Sequence, residues 1–274
     1  MTTFYETLTA AINDVVEHGY DSEHRLAEWR DKLLNAAGAT FRNDDRIDER
    51  LLFGLRSVYR RMVDQYGALK YHPGLSRWQL TRLKPRLQTE LNRRVLAAAQ
   101  LIKLNRQESM AKTIRRFTGW LTSVPAGGTD SQSKSKVKAD IKKALSSLPF
   151  EERRVAIDQG HKLTASINAV IAADNNALAV RWKSHWRQAG YDFREDHKDR
   201  DGKVYLLRNS WALEKGLIKP GPAGYYEDIT AVGEEVFCRC WAEYVYNLRD
   251  LPPDMLTKKG SEGLAAIREA FKRA

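Results

Sequence analysis

Two cysteines one residue apart, Cys238 and Cys240, and the histidine His197 are the side chains in this 274-residue sequence best suited to thiol or metal chemistry. The segment from Val236 to Val245 alternates like a strand. Both thiols would then share one face, and Arg239 would point the other way with Phe237 and Trp241. Residues two apart in a strand lie about 6.5–7 Å apart between Cα atoms, at or beyond disulfide reach, so a Cys238–Cys240 disulfide is not expected. With His197, and with His185 as a further candidate, the two thiols could complete a tetrahedral zinc site. Zinc-binding cysteine pairs, however, normally have two to four intervening residues rather than one. The preferred expectation is two small buried thiols and no cofactor, with zinc as the one candidate metal.

His197 follows a short acidic run, where an imidazole commonly fixes a turn through a bond to the backbone. Arg194, three residues earlier, is suited to a bidentate pair with Asp196 or Glu234, and Arg239 to a pair with the same acids. Asp199, Asp201 and Gly202 have the look of a calcium loop. The register fails, because His197 would take the first ligand position and Arg208 the twelfth. A metal-dependent nuclease built on His197, Asp199 and Asp201 is an alternative. The chain contains no nucleophile elbow, no phosphate-binding Gly-Lys-Ser/Thr loop and no zinc-protease helix, so a non-enzymatic protein is expected.

The elements that would carry these residues change in kind along the chain. Phe4, Leu8, Ile12 and Val15 form one helical stripe closed by Gly19. Ser22 is a candidate cap for a helix presenting Leu26, Trp29, Leu33 and Ala37 and ended by Gly38. Asp44 or Asp45 can cap a third with Leu51, Leu55, Val58 and Met62 on one face. After the turn at Tyr71-His72-Pro73-Gly74, Leu87, Leu91, Val95, Ala98 and Ile102 mark a long helix that starts or kinks near Pro85. Met110, Ile114, Phe117 and Leu121 continue its stripe and leave Arg115 and Arg116 outside. Residues 123–135 are rich in Gly, Pro, Ser and Thr and read as a flexible linker. Helical periodicity returns to about Ile171, with a stop at Pro149. Strand-like runs then follow at Ala179-Val180-Arg181-Trp182 and Lys203-Val204-Tyr205-Leu206-Leu207.

The fold class expected is α+β: a mainly helical region (1–122), the linker (123–135), a small α+β domain (136–250) and a helical tail (251–274). Four of the seven tryptophans, Trp182, Trp186, Trp211 and Trp241, fall in the small domain, where large aromatics supply much of the burial.

The formal charge is +11, and it is concentrated. Between Arg77 and Trp120, eleven basic residues face two acids, Glu90 and Glu108, which points to a polyanionic neighbour. Arg93, Arg94, Arg106, Arg115 and Arg116 are the candidate DNA contacts. No run approaches the ~20 apolar residues of a membrane span, and Met1-Thr2-Thr3-Phe4-Tyr5 lacks the basic start of a signal peptide. With only two cysteines, a reducing cytoplasm is expected, and no membrane partner.

From about Pro149 to Ala242 the order of features resembles the Mu F-like head-morphogenesis family of bacteriophages. An Arg-rich helix start, Glu151-Glu152-Arg153-Arg154, leads to an Asn-containing helix at Ile167-Asn168-Ala169 and a tryptophan strand at Trp182. The element Asp192-Phe193-Arg194-Glu195-Asp196-His197 is similar to the family's Asp-x-Arg-x-x-His. Glu234-Glu235-Val236-Phe237-Cys238-Arg239-Cys240 is similar to its terminal Cys-Arg-Cys. The chain departs from the family in the longer stretch from Asn209 to Tyr226.

The resemblance covers about a third of the chain. It implies a Mu F-like domain in which Trp182, Asp192, Arg194, His197, Cys238, Arg239 and Cys240 are structural. It also implies a minor head protein of the virion, assembled in the host cytoplasm on a portal or capsid protein. Nothing in the chain resembles the toxin domain that some members carry. A nucleic-acid-binding protein working through its basic helices, on double-stranded DNA, is the alternative function.

Overall fold

A computed structural model of the chain describes residues 3–19, 22–42, 45–125, 127–128 and 131–273. The protein is 67% helical with one three-stranded antiparallel sheet, the α+β class expected. It divides into two compact units, Met1–Leu52 with Val95–Ala156 and Phe53–Arg94 with Ile157–Ala274. This division differs from the expected linear one: the first 122 residues do not form a unit by themselves, and neither do residues 136–250.

In the first unit, α1 (Phe4–His18) begins at a reciprocal cap. Thr3 accepts from the Glu6 N–H, and the Glu6 carboxylate accepts from the Thr3 N–H. Its stripe of Phe4, Leu8, Ile12 and Val15 is buried as the spacing predicts. α2 (Glu23–Arg42) runs through Gly38 rather than stopping there. α3 (Asp45–Tyr59) starts at Asp45, while Asp44 lies outside the described residues. The long helix α5 (Lys84–Leu121), which belongs to this unit from Val95 on, has Pro85 in its first turn, where the missing N–H costs nothing. Its lower stripe, Met110, Ile114, Phe117 and Leu121, joins the α1 stripe and Ile141 and Leu145 of α6 (Ser131–Ser146) in one apolar core.

The expected flexible linker is different from its composition. Of residues 123–135, Ala126, Thr129 and Asp130 lie outside the described residues, while Ser131 already belongs to α6 and Val124 is buried in the core. Gly127 donates its N–H to the carbonyl of His18. A Cβ on Gly19 would stand 2.0 Å from the Pro125 oxygen, and one on Gly128 would stand 2.2 Å from the Val16 oxygen. The two glycines, both at positive φ, are present because two backbone segments meet there.

In the second unit, α4 (Arg77–Arg82) starts at a Ser76–Gln79 capping box, and α7 (Leu148–Asp174) brings residues 157–174. Chain reversal at Asn176 (φ 55°) leads into β1 (Ala179–Lys183). β1 is the central strand, paired antiparallel with β2 (Val204–Leu206) on one side and β3 (Trp241–Val245) on the other. Alternation along the strands gives the sheet two buried faces. Val180, Trp182, Tyr205, Ala242 and Tyr244 pack with both cysteines, whereas Ala179, Leu206 and Val245 pack with Ala212, Ile218, Leu251 and Met255. Between the strands lie the short helices α8 (Glu195–Asp199) and α9 (Trp211–Glu214), and the chain closes with α10 (Lys258–Arg273). No described helix is long and apolar enough to cross a membrane.

Candidate functional site

The strand expected from Val236 begins only at Trp241. Phe237 adopts a left-handed conformation (φ 61°), so Cys238, Arg239 and Cys240 do not alternate across a sheet. A non-glycine residue there costs on the order of 1–3 kcal/mol unless its surroundings hold it. They do so from three elements. The buried Asp158 of α7 accepts the Phe237 N–H at 2.6 Å and pairs with Lys162 at 3.3 Å. Tyr191 donates its hydroxyl to the Phe237 carbonyl and accepts the Arg239 N–H at 3.2 Å. Arg194, just before α8, donates to the Val236 carbonyl at 3.0 Å and pairs through Nε with Glu235 at 2.7 Å.

The loop held in this way turns both thiols onto one histidine. His197 is 2% exposed, and its Nδ1 lies 3.5 Å from Cys240 Sγ and 3.8 Å from Cys238 Sγ. Its Nε2 has no hydrogen-bond partner among the described residues and stands 3.5 Å from Glu235 Oε1. That carboxylate is itself fixed by Arg194 and by the Thr230 hydroxyl at 3.0 Å. Trp182 packs edge-on against the imidazole at 5.3 Å, with the Arg200 guanidinium over its ring. The Cys238 thiol is pulled down to about 6, first by the hydrogen bond from Cys240, with His197 and nearby backbone N–H groups adding to it against the effect of burial. Cys240 is pushed up, first by that contact with Cys238 and then by burial. The two thiols therefore titrate as a coupled pair, Cys238 shifted down and Cys240 up.

Cys240 also walls a cavity of about 670 Å³ within this unit. Arg61, Lys70, His161, His185 and Arg239 line it, and no carboxylate does among the described residues. Burial first, then Arg239 and His185, push the His161 imidazole down.

Several expected roles are redistributed. His197 fixes no turn through a backbone bond; it faces sulfur. Arg194 pairs with Glu235 rather than Asp196 or Glu234, because Asp196 is taken by Arg200 at 2.7 Å. Arg239 pairs with neither acid and lies 5.2 Å over the Tyr191 ring. Asp192 is exposed and has no hydrogen bond or ion pair among the described residues. His185 lines the cavity but is not among the convergent donors.

The nuclease trio is not assembled. Asp199 is exposed, and Asp201 uses both oxygens to accept the Ser184 N–H and the Trp186 indole N–H. Burial alone would raise the Asp201 carboxyl, but these two donors hold it below the usual range.

The five candidate DNA contacts also divide. Arg94 donates to Ser166 at 2.8 Å, and Arg106 makes a bidentate pair with Glu152, both groups largely buried. Arg93 is bound to Glu90 but more than half exposed. Arg115 and Arg116 are exposed, with Arg116 reaching the Asp140 carbonyl.

Sequence reasoning missed two functional-grade groups. One is Asp158, whose partner lies 79 residues away. The other is His72, assigned only to a turn. It is fully buried, stacked on Tyr244 at 4.9 Å, with Nδ1 2.6 Å from the Tyr246 hydroxyl and Nε2 3.2 Å from Asn168 Oδ1. Burial pushes its imidazole down to about 4, so Nε2 donates and Nδ1 accepts. No local pattern announces either residue, since both depend on remote partners. Compared with family models, curated proteins and solved structures, the chain matches none.

Proposed function

We propose that the protein is a non-enzymatic minor head protein of a bacteriophage, acting in head morphogenesis on a portal or capsid subunit. The observation that supports this reading is the convergence of the two motif halves that resemble the Mu F-like family. The Asp192–His197 element and the Glu234–Cys240 element meet through Arg194–Glu235, Arg194–Val236 and His197 with both thiols. A motif whose separated halves make one structural knot is a reason for those residue types to occur together. The test is mass spectrometry of assembling heads and finished particles, together with binding to the purified portal. Recovery with either supports the reading; absence from both, with no portal binding, overturns it.

A DNA-facing role for the basic segment is the second reading, favoured by the exposure of Arg115 and Arg116. Arg94 and Arg106 contribute less to it, because their guanidinium groups are already engaged.

A further inference from the structure

We propose that His197 Nδ1, Cys238 Sγ and Cys240 Sγ are three protein ligands of a zinc ion, with Glu235 orienting the histidine from behind and the fourth position filled by an exogenous ligand. This inference stands on the geometry of the cluster and does not need the head-protein reading.

The distances decide between packing and coordination. Zinc–sulfur and zinc–nitrogen bonds of about 2.3 and 2.0–2.1 Å at tetrahedral angles give a sulfur–nitrogen edge of about 3.6 Å. The two edges here are 3.5 and 3.8 Å, and all three ligand atoms lie within 4.8 Å of one another. Two thiols packed only as small apolar groups have no reason to point their sulfurs at a single ring nitrogen. The objection from spacing also falls away. It assumed an extended chain, and the left-handed Phe237 removes that assumption by folding Cys238 and Cys240 toward the same point.

The surroundings fit as well. A metal-bound histidine usually presents its other ring nitrogen to a carboxylate, which fixes the tautomer. His197 Nε2 is buried without a hydrogen-bond partner among the described residues, yet it faces Glu235, which is held in place by Arg194 and Thr230. A neutral imidazole and two sulfurs select a soft divalent ion over magnesium or calcium. No fourth His, Cys, Asp or Glu joins the three among the described residues. Cys240 is the ligand that also walls the basic cavity, so the fourth ligand, water or a small anion, enters from there.

The experiment uses the full chain, purified under reducing conditions and desalted, with zinc measured by elemental mass spectrometry. The metal-stripped protein is then titrated with cobalt(II) as a spectroscopic probe. About one zinc per chain is expected, together with thiolate-to-cobalt charge transfer and the strong visible bands of a tetrahedral site. Glu235→Gln, which removes no ligand, should keep the spectrum and weaken metal affinity about 10- to 100-fold. Cys238→Ser with Cys240→Ser should abolish both. If that double variant does not fold, the wild-type titration and Glu235→Gln still decide. A folded, fully reduced wild-type chain that takes up neither zinc nor cobalt, or one whose cobalt spectrum lacks thiolate bands, overturns the proposal.

Discussion

In the unit made of Met1–Leu52 and Val95–Ala156, the only buried polar residues among those described are Ser109 and Thr113. Thr113 donates its hydroxyl to the Ser109 carbonyl one turn back on the same helix. The unit made of Phe53–Arg94 and Ile157–Ala274 buries His72, Asp158, Gln159, Asn168, His197 and Ser210 besides its two cysteines. The contrast follows from how each backbone satisfies itself. Helices pair their own N–H and C=O groups, so their core can be apolar and needs only volume. Irregular segments such as 230–240 leave backbone groups unpaired, and the buried Asp158 meets one of them, the Phe237 N–H. The chemistry collects in the second unit because that is where polar groups have to be held in place.

The largest effect expected is in the apolar unit. Phe117 is 1% exposed in its core, so Phe117→Ala should cost about 4 kcal/mol in a urea unfolding measurement. A loss under about 1 kcal/mol would mean that this core is loosely packed and the contrast is misdrawn.

In the polar unit, His72 supplies a pH dependence. Its pKa is about 4 in the folded protein against about 6.5 in the unfolded chain. As pH falls, the unfolded chain takes the proton first. The contribution is therefore fully present above about pH 6.5 and is lost on falling to about 4. The 2.5-unit gap corresponds to about 3 kcal/mol. His72→Gln should flatten that part of the stability-versus-pH curve; an unchanged slope would show that His72 titrates normally.

Asp158→Ala tests whether buried polar groups position the cysteine loop. It strands the Phe237 N–H and should cost about 2 kcal/mol, while also making the thiols more reactive toward a thiol-specific reagent. Lost stability with unchanged thiol reactivity would reduce Asp158 to a packing role.

Smaller still, Arg106→Lys in the first unit replaces a planar bidentate donor and should cost about 1 kcal/mol. It should leave the salt dependence of any DNA binding unchanged. By contrast, Arg115→Ala with Arg116→Ala should alter stability by no more than about 0.5 kcal/mol. If these arginines meet phosphate, the same pair should flatten the log affinity–log salt slope by about two units. Equal slopes for the two variants would erase the distinction between the engaged and the exposed arginines.

Periodicity alone located most of the long helices, the apolar faces of α1 and α5, the exposure of Arg115 and Arg116, and the first two strands. Spacing of 3.6 or 2 is a local property, and burial obeys it wherever a single face is covered. The family resemblance likewise grouped Arg194, His197, Cys238 and Cys240 as a set. What only the tertiary structure decided was how those residues meet. Positive φ at Phe237 made a loop of an expected strand, and Val124 with the meeting of Gly19 and Gly128 packed an expected linker against α1. Asp158 and His72 acquired roles from partners 79 and 174 residues away. Each of these depends on which backbone segments, unpaired N–H groups and buried side chains come together once the helices and strands are packed. That sum is taken over contacts distant in sequence, so no local window contains it.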